Sequence, residues 1–203
     1  MSDSSLHRRA LLLSYFTIAY NVVEFVLSLA AGIMANSIAL VGFGLDSLVE
    51  SFSAGIMVWR FRRGGTMSEE EEERIERKAE RLVGYTFLVL AAYVLYESAN
   101  KLIRKEIPQP SPLGMIIALA SIIAMPVLYR AKLRTGKALN SKSLIADAKE
   151  TLACAFLSVA LLVGLGTNYL FGFWQADSLV GFVIAVFLAR EGLEIVRGEN
   201  EKE

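Results

Sequence analysis

The chain has 203 residues, 54% of them hydrophobic, and its 21 Lys and Arg balance 21 Asp and Glu. Zero formal charge gives no general attraction for a nucleic-acid backbone, and a single cysteine, Cys154, excludes an internal disulfide. A mean hydropathy of +0.46, with the apolar residues gathered in long blocks, excludes an ordinary soluble domain. It reads instead as an all-α polytopic membrane protein, because a span needs about 20 mostly apolar residues.

Six spans are predicted, over about 11–35, 37–59, 82–103, 112–129, 143–165 and 174–196, forming a six-transmembrane-helix bundle. The first follows a tail holding His7, which has no visible partner, and it carries Asn21 and Glu24. Its apolar run is too long for a cleavable signal peptide. The second carries Asp46 and Glu50 in the stretch GLDSLVESF and ends on Trp59, where an interfacial aromatic belongs. In the connection 60–81, Ser68 precedes a run of Glu. Ser68 as an N-cap, acids in a first turn, and basic residues three or four positions further on predict a cytoplasmic helical extension of the third span. That extension follows a Gly64-Gly65 turn, and the acidic run is read as helix rather than as a metal site.

The third span has Glu97 four residues before Lys101, the spacing of a local pair at the outer end. The fourth is apolar. The fifth carries Asp147, Glu150 and Thr151, with Lys149 among them, and then Cys154, read as small-residue packing. The sixth opens on Trp174, has Asp177 as its own cap or at the outer mouth, and has a possible Arg190–Glu194 pair near its inner end. No connection is long enough to fold alone, so the sequence reads as one transmembrane domain over 1–203 with no soluble domain. Nearly all Lys and Arg fall on one side of this arrangement, and only Lys101, Arg104 and Lys105 fall on the other. By the positive-inside rule both termini are cytoplasmic, in the cell (inner) membrane.

An acid at mid-bilayer costs about 2.5–3.5 kcal/mol on insertion scales, against about 0.3–0.6 kcal/mol returned by a central Leu. Asp46 and Glu50 must therefore face protein, water, ions or protons. At about 1.5 Å per residue, Glu50 lies roughly 14 Å and Asp46 about 20 Å above the cytoplasmic end of the second span. Asp147, Glu150 and Thr151 lie about 8, 12 and 14 Å up the fifth, and Asn21 and Glu24 about 15 and 20 Å up the first. Residues four apart share a helix face, pairing Asp46 with Glu50 and Asp147 with Thr151. A layer of oxygen-bearing side chains can bind a divalent cation, carry protons or join helices. Metal binding needs deprotonated carboxylates, so protons compete with metal, and opposed binding of the two is a route to antiport.

Here the residues resemble the cation diffusion facilitator family. The stretch 21–32, SIAL at 37–40 and GLDSLVE at 44–50 are similar to that family's first two spans, LNSKSLIADAKET at 139–151 to the entry of its fifth, and WQAD at 174–177 to the start of its sixth. The resemblance implies a proton-coupled divalent-cation exporter, not an enzyme, without organic cofactor, typically a homodimer in the lipid bilayer. It places metal ligands on Asp46, Glu50, Asp147 and Thr151. Thr151 stands where the family typically has Asp, and Glu150 beside it is the alternative fourth ligand. Asn21 and Glu24 line the site or a proton path. No histidine stands at these positions, and the chain reads as a short form without the family's C-terminal cytoplasmic domain. An all-oxygen set suits manganese or ferrous iron better than zinc, with zinc and cobalt still acceptable. Two other classes fit a buried carboxylate layer: a membrane-embedded carboxylate metalloenzyme, and a non-transporting membrane subunit whose acids only join helices.

Overall fold

A computed structural model describes residues 3–63 and 69–197. It holds six helices: α1 (Asp3–Ala35), α2 (Ile38–Arg63), α3 (Glu69–Arg104), α4 (Pro112–Ala138), α5 (Lys142–Phe171) and α6 (Gln175–Arg197). The Gly64-Gly65 turn and the Ser68 cap lie outside the described residues. The helical extension of the third span is present, since α3 begins at Glu69. Likewise α4 runs on to Ala138, past the Tyr129 at which the predicted span ends, so part of the expected 130–142 connection is helix. Hydropathy falls after Tyr129, but Arg, Lys, Ala and Leu there are good helix formers.

The helix ends follow from local chemistry. Ser111 Oγ accepts from the Gly114 N–H at 3.1 Å, with Pro112 at the first helical position. Asn36 and Asn140 adopt positive φ, and the following residues, Ser37 and Ser141, donate back to the carbonyls of Gly32 and Gly136, each at 2.9 Å. These left-handed residues turn α1 into α2 and α4 into α5 within a few positions.

Polarity is inverted relative to a soluble protein. Outward faces carry Val23, Val26, Tyr96, Ile123, Val163 and Val186, all exposed, while the interior holds Ser14, Asn21, Glu24, Asp46, Glu50, Asp147 and Thr151. Only a hydrocarbon surround makes that distribution favourable. Five helices are long and apolar enough to cross a membrane. The sixth, α6, is interrupted by Asp177, Arg190, Glu191 and Glu194, and it packs along α3 within the same bundle.

Three pairs pack most extensively: α1 with α2, α3 with α6, and α4 with α5. The central helix is α2, which touches α1, α3, α5 and α6. The α3–α6 crossing is close because both helices present glycine. A Cβ on Gly192 would stand 2.8 Å from the Gly84 carbonyl oxygen, so any side chain there pushes the backbones apart.

Several long-range contacts differ from the expectations. Asp177 does not cap its own helix. It accepts from the Ser37 hydroxyl and, at 2.9 Å, from the Ile38 N–H, and so caps α2 from a position 139 residues away in sequence. Lys101 turns from Glu97 to the Asn36 carbonyl oxygen at 2.7 Å. The His7 ring meets Phe61 edge-on at 5.9 Å between centroids. The expected local pair Arg190–Glu194, by contrast, does form, at 2.7 Å.

Candidate cation site

On α2, Asp46, Ser47 and Glu50 face inward because positions three and four apart share one face of a helix. On α5 the same spacing buries Asp147, Thr151 and Cys154. The two helices are neighbours. Glu50 and Thr151 meet there, with Thr151 Oγ1 2.6 Å from Glu50 Oε1. The same hydroxyl lies 3.1 Å from the Asp147 carbonyl oxygen. A hydroxyl has one proton, and the shorter contact directs it to Glu50.

The residue at the centre of this group comes from α4. Lys132 is completely buried. Its Nζ lies 2.9 Å from Asp147 Oδ2 and 3.8 Å from Glu50 Oε1, and it donates to Thr151 Oγ1 at 2.8 Å. The ammonium therefore joins oxygens of α2 and α5. From the sequence alone Lys132 reads as one of the basic residues on the cytoplasmic side. The signal that finds it is periodicity: Ile117, Ser121, Met125, Leu128, Lys132 and Thr135 fall three or four apart on the buried stripe of α4.

A second polar group lies among α1, α2 and α4. Ser47 donates to Glu24 Oε2 at 2.7 Å, Ser121 donates to Glu24 Oε1, and the Tyr20 hydroxyl meets Ser121 Oγ at 3.0 Å. Ser121 and Lys132 are eleven residues apart, about three helical turns, so one face of α4 serves both groups. Asp46 neighbours Glu50 and Cys154, and Asn21 faces Glu50.

The structure thus brings Glu50, Asp147 and Thr151 to one point. It places Asp46 and Asn21 next to that point and binds Glu24 into the neighbouring hydroxyl group. Glu150 does not share the Thr151 contact; its neighbours are Ser53 on α2 and the acids Glu191, Asp147 and Glu50. Among the described residues no three Asp, Glu, His or Cys side chains converge as a metal cluster does. The acids are instead spaced around an ammonium. Glu50 Oε2, Asp147 Oδ1 and Glu150 Oε2 are buried without a hydrogen-bond partner among the described residues. Buried acceptors left open in this way are unusual and need a reason.

Residues 14–199 match the model of the cation efflux transmembrane domain. The chain belongs to the cation efflux family, the cation diffusion facilitators. Among curated relatives of this family member, the magnetosome protein MamB of Paramagnetospirillum magneticum is 27% identical over 81% of this chain and 57% of its own length. Transmembrane protein 163 of Xenopus laevis is 22% identical over 93% of this chain and 66% of its own. The manganese efflux system protein MneP of Bacillus subtilis is 28% identical over 59% of this chain and 42% of its own. This cation efflux chain spans between about two fifths and two thirds of the length of these relatives.

Proposed function

We propose that the chain exports a divalent metal cation across the cell (inner) membrane in exchange for protons, with both termini cytoplasmic and two copies forming the working unit. It is a transporter rather than an enzyme. The observation that carries this reading is the meeting of Glu50 on α2 with Asp147 and Thr151 on α5 in one buried layer, with further acceptor oxygens left open. Family membership and the manganese efflux relative support it. Metal enters from the cytoplasm between α2 and α5. Asp46, Glu50 and Asp147 bind it, Thr151 or Glu150 completes the shell, and relative movement of the helices exposes it outward. The oxygen-only set favours manganese or ferrous iron over zinc or cobalt. Carboxylates bind metal only when deprotonated, so affinity falls as pH falls.

The test is metal uptake into proteoliposomes under a proton gradient. Asp46→Ala and Asp147→Ala are expected to abolish flux, and unchanged flux in both overturns the site. A second reading draws on Lys132, which already compensates the buried acids: a membrane subunit whose acids only join helices. It predicts that Asp46→Asn, Glu50→Gln and Asp147→Asn keep all function and that no metal binds.

A further inference from the structure

We infer that Lys132 is a tethered competitor for the cation site: its ammonium occupies the oxygens that the metal must use, and metal binds only when the lysine withdraws. The inference rests on the proposed export function and adds a regulator to the same site.

Lysine is almost never fully buried unless paired, and Lys132 has no exposed surface. Its three partners, Glu50, Asp147 and Thr151, all belong to the proposed metal shell and come from two different helices. An ammonium so placed does for the metal-free protein what a metal would do for the loaded one, since it offsets two carboxylates and holds α2 against α5. A divalent cation at the same oxygens would stand within a few ångströms of Nζ, and like charges that close in a water-poor interior repel strongly. The two occupants therefore exclude one another.

The geometry also leaves room for exchange. Glu50 Oε2 and Asp147 Oδ1 remain without hydrogen-bond partners, so the ammonium has not used the coordinating capacity around it. A metal with six or more coordination positions would use those atoms. The lysine itself can leave. It is a point charge on a flexible four-carbon stem, unlike the rigid guanidinium fork. Its Cα lies six residues from the last residue of α4, about 9 Å along the axis, so the side chain can swing toward the inner mouth. Apparent metal affinity is then the intrinsic affinity reduced by the fraction of molecules in which Lys132 is withdrawn.

The test is a titration of the purified full chain with manganese(II), repeated with zinc(II), using wild type, Lys132→Met and Lys132→Arg. Removing the competitor is expected to tighten metal binding at least tenfold. Lys132→Arg, which grips carboxylates with two parallel hydrogen bonds, is expected to weaken it at least tenfold. A lysine that serves only to hold the bundle together would lower the unfolding midpoint of Lys132→Met without tightening metal binding. A folded Lys132→Met protein with wild-type or weaker affinity therefore overturns the inference. Should Lys132→Met not fold, Lys132→Arg decides alone, and an unchanged Kd overturns it. The two failures are distinguishable. If wild type and Lys132→Met bind both metals with equal Kd, only the competitor fails. If neither protein binds either metal, the cation site fails and the competitor with it.

Discussion

At Thr151 one hydroxyl serves two helices. It donates to Glu50 and accepts from Lys132, with all three groups buried. Removing a partner from a buried polar group costs about 1–3 kcal/mol, since the remaining atoms lose their desolvation offset. Thr151→Val, which keeps the shape and loses the hydroxyl, is therefore expected to destabilise the protein by about that much. Thr151→Ser, which keeps the hydroxyl, is expected to cost less, and denaturant unfolding in detergent compares the two. The same residue marks where sequence reading reached its end. Asp46 and Glu50 were legible because acids in an apolar run are costly and their spacing fixes a shared face. Glu150 and Thr151 were not separable, because adjacent helix positions point about 100° apart and the sequence does not say which of them meets the Glu50 carboxylate. Lys132 was illegible for a different reason. Three residues beyond Tyr129 it looks like any basic residue at a membrane surface, and only the continuation of the buried stripe of α4 past Tyr129 marks it as inward-facing.

At the scale of helices, close approach and capping decide the bundle. Gly192 has no space for a side chain against Gly84, whereas nothing stands within 4 Å of a Cβ added at Gly166 on α5. Gly192→Leu is expected to separate α3 from α6 and lower the unfolding midpoint sharply. Gly166→Ala is expected to raise stability by about 0.5–1 kcal/mol, since Ala is the better helix residue where space allows. Equal effects of the two would contradict the close crossing. Asp177→Ala removes the carboxylate that holds Ser37 and the Ile38 N–H, and loss of an N-cap costs about 0.5–2 kcal/mol, readable in the same unfolding experiment. The six helices themselves were legible from block hydropathy and turn residues. The cap was not, because Asp177 and Ile38 are far apart in sequence and nothing local links them.

For the molecule as a whole, the exposed apolar faces and buried polar interior place the chemistry where water and lipid are both excluded. Cys154 reports on that interior. It is a free, buried thiol next to Asp46. A water-soluble maleimide is expected to label it slowly in metal-free membranes and faster under conditions that drive the transport cycle, with mass spectrometry reading the modified fraction. Equal labelling rates with and without a driving gradient would mean that the interior does not open. The way the helices associate adds a consequence. The α4–α5 pair is a tightly packed unit, and α2 belongs with α1 and, through Asp177, with α6. The boundary between these bodies passes between Glu50 on one side and Lys132, Asp147 and Thr151 on the other. The charges of Glu50, Lys132 and Asp147 therefore lie along a seam rather than inside either body. In the proposed exchange, swapping the small, yielding ammonium for a doubly charged ion would change how firmly that seam is stitched, and with it which face of the bundle could part.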